Sequence, residues 1–310
     1  MNTKQKLTVI QQRLGFTQTK LAEKFGVSFV AFNNWWNGKA EPRPKTKALI
    51  DELFLEVTGK KIIAPEILKE KNKNLLQQAA KHKNILKEIL DHQDIKERFI
   101  LKLTYHSNNI EGSTLTEPET AAIIFDNVAL PDRTLTEQLE AKNHQTALNY
   151  LFDYLSAGKK INEALILKLH SILMNGIRPD AGNYRRHPVR ILGVNLPTAN
   201  YLRIPDLMPE VATMAAKKSK ETVKNCAAVH SRFEQIHPFS DGNGRVGRLL
   251  MTAMLLQANL PPVIIDQSKK QFYYVYLLKA QTSGDQSQLA NFLFDAVFDG
   301  LKILERTDTI

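Results

Sequence analysis

The chain has 310 residues, with 42 Lys and Arg against 32 Asp and Glu, giving a formal charge of +10 and a pI near 9.5. At 43% hydrophobic and 24% charged residues it has the composition of a folded protein of two or three compact units, which excludes wholesale disorder and collagen-like repeats. The longest nearly apolar run, 249–256, is far short of the roughly 20 residues a membrane helix needs. The first residues contain no apolar stretch of a secretory signal, and the single Cys226 permits neither an internal disulfide nor a Cys-based zinc site, so a cytoplasmic setting without membrane contact is expected.

The charge is unevenly placed. Residues 1–60 carry 10 basic and 5 acidic groups, residues 61–110 carry 10 and 6, and the remaining two thirds are almost balanced. A basic front on a neutral body suggests a polyanion-binding appendage, and a solvated surface with a lysine-rich linker accounts for charge alone equally well. In chain order, residues 18–25 place Leu21, Ala22 and Phe25 at helical spacing. Gly26 breaks that helix, and Ser28 can cap the next, which runs through Val30, Ala31, Phe32 and Trp35. Asn37-Gly38 is a turn, and Pro42 and Pro44 open a further helix. The charge-rich stretch 59–74 reads as a linker or capping segment.

Residues 94–109 set Ile95, Phe99, Leu103 and His106 on one stripe, and similar patterns recur over 137–154, 161–174, 222–235, 245–257, 272–282 and 288–304. Only 184–195 alternates, and it predicts a short β-hairpin. The expected architecture is all-α with that hairpin, divided into a first domain at 1–57, a linker or helical connector at 58–93 and a main domain at 94–310.

In the first domain, Gln18, Ala22, Gly26, Val27, Ser28, Phe32 and Trp35 have the spacing of a helix-turn-helix: a small residue where two helices cross, a turn glycine, and aromatic anchors. With Trp35, Gly38, Pro42 and Arg43 this resembles the lambda-repressor-like family over about residues 4–55. The resemblance implies that the second helix enters a DNA major groove, offering Ser28, Phe29, Asn33 and Asn34 to base edges and Lys20, Lys39, Arg43, Lys45 and Lys47 to phosphates. Such folds also serve as protein-interaction modules. Trp36 is expected to pack rather than stack on bases.

Residues 237–248, HPFSDGNGRVGR, concentrate chemistry of another kind. His237 can act as a base near neutral pH. Asp241 is a hard oxygen ligand suited to Mg²⁺ alongside phosphate oxygens. Gly242, Asn243 and Gly244 let backbone N–H groups approach an anion at a helix start. Arg245 and Arg248, three apart, can both project from that helix toward phosphates. No G-x-x-x-x-G-K-[ST] sequence occurs, so this is not a Walker-type loop. Together the twelve residues describe a nucleotide phosphate site.

That pattern, H-x-F-x-D-G-N-G-R-x-x-R, resembles the Fic family, and the likeness extends over about residues 95–300. It implies transfer of AMP from ATP to a Tyr, Thr or Ser hydroxyl of a target protein. His237 would be the base, Asp241 the Mg²⁺ ligand, Asn243 and its glycine neighbours the stabilisers of the transferred phosphoryl, and Arg248 the grip on the γ-phosphate. Val189, Arg190 and Ile191 resemble the family's flap, which aligns the target segment by strand addition. Tyr273 and Tyr274 resemble a paired-tyrosine element near the adenine, whereas Gln281 stands where relatives often carry Asn. Upstream, SNNIEG at 107–112 matches the family's inhibitory pattern: Ser107 and Glu111 share a face of a helix at 95–112, Gly112 can end it, and Glu111 would pair with Arg248. In some such proteins the glutamate instead assists removal of AMP. Transfer of another nucleotide, or a DNA-binding regulator whose body senses ATP, are the alternatives, and both resemblances favour a homodimer. His230 and Cys226, on one predicted helix, read as buried structural residues.

Overall fold

A computed structural model describes residues 1–190 and 196–307. Its first four helices form a unit with its own core: α1 (Thr3–Leu14), α2 (Gln18–Lys24), α3 (Phe29–Trp36) and α4 (Pro44–Val57). Local chemistry sets their limits. The Asn2 side chain and Gln5 close a capping box at the start of α1, and Gly15 ends it at φ 64°. Thr17 and Ser28 cap α2 and α3 through their hydroxyls. Leu7, Ile10 and Leu14 of α1 meet Leu21, Phe32, Ile50 and Leu53, all buried, and Trp36 stacks on Phe32 as a packing residue. The turn at Gly26 therefore joins α2 to α3 as the glycine and Ser28 indicated.

The body comprises α5 (Pro65–Ala79), α6 (Ile85–Asp91), α7 (Gln93–Glu111), α8 (Glu117–Ile124), α9 (Leu135–Ser156), α10 (Glu163–Leu173), α11 (Ile204–Ala216), α12 (Thr222–Ile236), α13 (Asn243–Gln257), α14 (Lys270–Ser283) and α15 (Ser287–Leu304). Residues 249–256 of α13 are all buried. A helix apolar on every side belongs at the centre of its bundle, and α13 packs on α7, α9, α10, α11 and α12. No helix among the described residues is long and apolar enough to cross a membrane.

The segment 58–93, expected as a linker or helical connector, holds two helices: Leu68, Leu75 and Ala79 of α5 and Ile85 and Ile89 of α6 are buried in the body's core, with α5 lying on α15. Its many lysines occupy the solvent side, so the composition masked a narrow apolar stripe. The predicted hairpin at 184–195 lies partly outside the described residues. Residues 184–190 are bends and irregular backbone, no strand occurs among the described residues, and Ile191, with the rest of 191–195, lies outside them.

The N-terminal unit is docked on α14. Phe272 packs against its core, Lys24 sits over the Phe272 ring at 5.3 Å, and the Tyr276 hydroxyl donates to Glu56. Past α4, the Lys61 carbonyl accepts from Gln288 Nε2 at 2.8 Å, so the connection lies against the body as well.

Candidate active site

The site is built where α12 stops and α13 starts. His237 caps α12 with φ 52° and ψ 63°, a left-handed conformation uncommon for a residue with a side chain. Arg185, 2% exposed, holds it there: its Nε donates to the His237 carbonyl at 2.7 Å, while other guanidinium nitrogens reach the carbonyls of Ile236, His187 and Ala199. Phe239 is wedged face to face on His170, with ring centroids 3.7 Å apart. Asn243 closes the loop, its amide accepting from Phe239 N–H and donating to Phe239 O, both at 2.9 Å. Gly242 takes φ 77°, and a Cβ there would come within 2.7 Å of Met174 Cε. The chain then enters α13 with its first N–H groups facing a cleft of about 550 Å³.

His237, Asp241, Gly242, Asn243, Gly244, Arg248, Tyr273 and Tyr274 all line this cleft, together with Glu111 from α7 and Arg190 from the 184–190 segment. His237 Nδ1 faces acceptors only, the Glu234 carbonyl at 3.3 Å and the Glu234 carboxylate at 3.6 Å. That nitrogen therefore carries the proton, and Nε2 is the free lone pair available to a substrate hydroxyl.

Glu111 and Arg248 meet across 137 residues of sequence. Arg248 Nη2 donates to Glu111 Oε1 at 2.7 Å, and the guanidinium is further held by the Ser107 hydroxyl at 2.9 Å and the Ser107 carbonyl at 3.0 Å. Burial opposes the charge on Arg248, but the Glu111 carboxylate overrides it and leaves the pKa raised. Gly112 ends α7 at φ 114°, one residue past the glutamate. A Cβ on Gly244 would fall on Glu111 Oε1 and 2.9 Å from Arg248 Nη1. The Glu111 carboxylate thus rests against the first turn of α13, where exposed N–H groups favour an anion.

Some expected ligands have other work. Arg245 is 2% exposed and does not line the cleft; it is paired with Glu140 at 2.5 Å and reaches Asp241 at 3.4 Å. Phe239 engages the Asn243 carbonyl oxygen and one of its two amide N–H groups, and Asn243 lines the cleft. Tyr273 is buried, with its hydroxyl on His230 Nε2, and burial pushes that hydroxyl's pKa up. Tyr274 donates to the Ile110 carbonyl at 3.1 Å. His230 is fully buried and Cys226 is buried, both as expected, and Gln281 reaches the Ser231 carbonyl. Val189 accepts a bond from Thr198. Among the described residues no cluster of three or more metal-ligating side chains occurs. Asp241, its side chain 53% exposed at the cleft, is the one hard ligand expected there, and a single carboxylate suits a Mg²⁺ held mainly by phosphates and water.

Residues missed in the sequence are those whose role depends on distant neighbours. Glu234 is buried beside His237, with Oε1 unpartnered; against the cost of burial, the hydrogen bond from His237 keeps its carboxyl below the usual range. Arg185 could not be told from its neighbour Arg186. Arg13 of α1 and Lys270 of α14 also line the cleft, and no sequence signal ties Arg13 to it.

Residues 160–255 match the model of the Fic/DOC family. The chain is 32% identical over 193 residues to Protein adenylyltransferase Fic of Drosophila willistoni, covering 62% of this chain and 39% of that protein. It is 33% identical over 195 residues to the protein of the same name from Drosophila erecta, with the same coverage. It therefore spans about two fifths of the length of the curated relatives it matches. Among solved structures, a Fic family protein from Desulfovibrio desulfuricans G20 shares 25% identity at a TM-score of 0.65, covering 80% of this chain and 76% of that one. Fic-1 from C. elegans shares 19% identity at a TM-score of 0.67, covering 93% and 84%. The chain carries a Fic domain within an all-helical body of the Fic fold.

Proposed function

We propose that this chain is a protein adenylyltransferase, transferring AMP from ATP to a Tyr, Thr or Ser hydroxyl of a target protein and restrained by its own Glu111. The observation that carries this reading is the Glu111 carboxylate seated on Arg248 and Gly244, an anion lodged at the helix start that faces the base His237 across one cleft. The names of the Drosophila relatives support the activity.

His237 Nε2 would take the hydroxyl proton as that oxygen attacks the α-phosphorus. The new P–O bond forms in line with the breaking α–β bridge, and pyrophosphate leaves. Main-chain N–H groups at Gly242–Gly244 would stabilise charge on the transferred phosphoryl. Asp241 would hold Mg²⁺, which neutralises phosphate charge when bound. Arg245 fixes Asp241 from behind, and Arg185 fixes His237. While Glu111 occupies Arg248, the γ-phosphate lacks its grip, and bound ATP is left misaligned for attack. Arg190, which lines the cleft, and its neighbour Val189 would guide the target segment, as a flap does.

The test is transfer of label from α-labelled ATP to lysate proteins. The Glu111→Gly protein should label targets well above the native chain, and His237→Ala in that background should not. Equal, background-level labelling by all three, with GTP, UTP and CTP also inert, would overturn the reading.

The N-terminal unit is proposed to bind DNA through α3. Ser28, Phe29, Lys39 and Arg43 are exposed, with Asn33 and Asn34 half-exposed, and docking on α14 leaves this face open. Asn33 already accepts from Asn37, so its amide N–H groups are what it presents to a base. Binding that is sequence-selective, weakens steeply with salt and is lost in Asn34→Ala with Arg43→Ala supports this reading; no salt-sensitive binding would remove it.

A further inference from the structure

The nucleotide cleft is walled on one side by the N-terminal unit. Arg13, in the last turn of α1, lines the same cavity as His237, Asp241 and Arg248, beside Lys270 of α14. This approach is not a chance graze of two surfaces. Phe272 packs on the N-terminal unit's core, and Tyr276 is hydrogen-bonded to Glu56, from the same helix that presents Tyr273 and Tyr274 to the cleft.

Charge gives Arg13 a task there. The three carboxylates of the cleft are committed elsewhere: Glu111 to Arg248, Glu234 to His237, and Asp241 to Gly242 N–H and Arg245. Among the described residues no carboxylate pairs with Arg13 or with Lys270, whose ammonium rests over the Tyr274 ring. Arg13 of α1 and Lys270 at the start of α14 therefore present two cations without a carboxylate partner to a cavity that is also lined by a helix N-terminus.

We infer that Arg13 is a nucleotide ligand supplied in cis by the N-terminal unit, contacting the anionic part of the bound nucleotide and making that unit a component of the catalytic site. This rests on the reading of the cleft as a nucleotide site. It also couples the two halves of the chain: whatever shifts the N-terminal unit on α14 changes nucleotide affinity, and nucleotide in turn holds the unit in place by the same factor.

The experiment uses the full chain carrying Glu111→Gly, with Mg²⁺-ATP binding measured by calorimetry at low and moderate salt. Arg13→Ala should weaken ATP about five- to tenfold, as one solvent-screened guanidinium–phosphate contact allows, with the difference shrinking as salt rises. Adenosine, lacking phosphate, should bind both proteins alike. Lys4→Ala, an equal charge change near the other end of α1, should leave ATP affinity unchanged. An unchanged ATP affinity in Arg13→Ala, or the same loss with Lys4→Ala, overturns the inference while the nucleotide site stands. A loss as large for adenosine as for ATP overturns the phosphate contact. If the Glu111→Gly parent binds no ATP, the nucleotide reading fails and this inference fails with it.

Discussion

Removing the Glu111 carboxylate should lower the stability of the free protein and raise its response to nucleotide. The Arg248 side chain is only 7% exposed and the Glu111 side chain 31%. Stripping the partner from a fully buried pair costs about 3–5 kcal/mol. Two features reduce that here: Glu111 is partly solvated, and Arg248 keeps its two bonds to Ser107. For Glu111→Gln, which preserves the helix and removes the charge, a loss of about 1–2 kcal/mol follows, equivalent to a melting point about 2–6 °C lower for a chain of this size. Glu111→Gly adds up to about 1 kcal/mol from helix propensity. Nucleotide should reverse the effect, since ATP at 100 times its Kd returns about 2.7 kcal/mol to whichever protein can bind it through Arg248. Thermal melts of native, Glu111→Gln and Glu111→Gly proteins, with and without Mg²⁺-ATP, measure both terms. A variant that melts with the native chain when free, and gains no more from ATP than the native chain does, would refute the claim that Glu111 and phosphate compete for one guanidinium.

Gly244→Ala should abolish transfer even with Glu111→Gly, because a Cβ there stands in the seat of any anion as well as in that of the carboxylate; recovered labelling in the double variant would contradict it. Glu234→Gln should lower kcat about ten- to a hundredfold with little change in KM, since it removes the charge that steadies His237 once protonated; a loss confined to KM would show that Glu234 acts on binding instead. Three buried histidines make the fold acid-labile. Burial holds His144 at about 3, His170 at about 4 and His230 at about 4. Below about pH 6.5 the unfolded chain takes protons that these sites refuse, so stability falls as pH falls, by about 1.4 kcal/mol per histidine per pH unit until the folded values are reached. Urea midpoints at pH 7.5 and 5.5 should therefore differ sharply, and equal midpoints would contradict burial of neutral imidazoles.

What could be read from the sequence was what lies close together in it. The turn at Gly26, the cap at Ser28 and the residues from His237 to Arg248 are local, and local chemistry shapes them. Glu111 was found only because a short pattern carries it, since nothing in its neighbourhood points to an arginine 137 residues away. The spacing of Arg245 and Arg248 put both on the helix but could not tell which one a distant carboxylate, Glu140, would claim. That the Asn243 amide also closes the loop on Phe239 depends on a fold not visible in the residue types. How deeply α5 is buried is hard to read because its few buried side chains, such as Leu68 and Leu75, are a full two turns apart among lysines.

The brevity of the join between the two units has a consequence for how the docked arrangement persists. Only seven residues separate Val57 from Pro65, and Ile63 is itself buried in the body. A leash of that length, a few nanometres at full extension, keeps the N-terminal unit at an effective concentration of order millimolar against α14. A contact far too weak to join two separate proteins is then closed most of the time, and it can open without the unit being lost. The chain can accordingly use the docked interface as a reversible latch, its closure set by the length of the join as well as by the area buried.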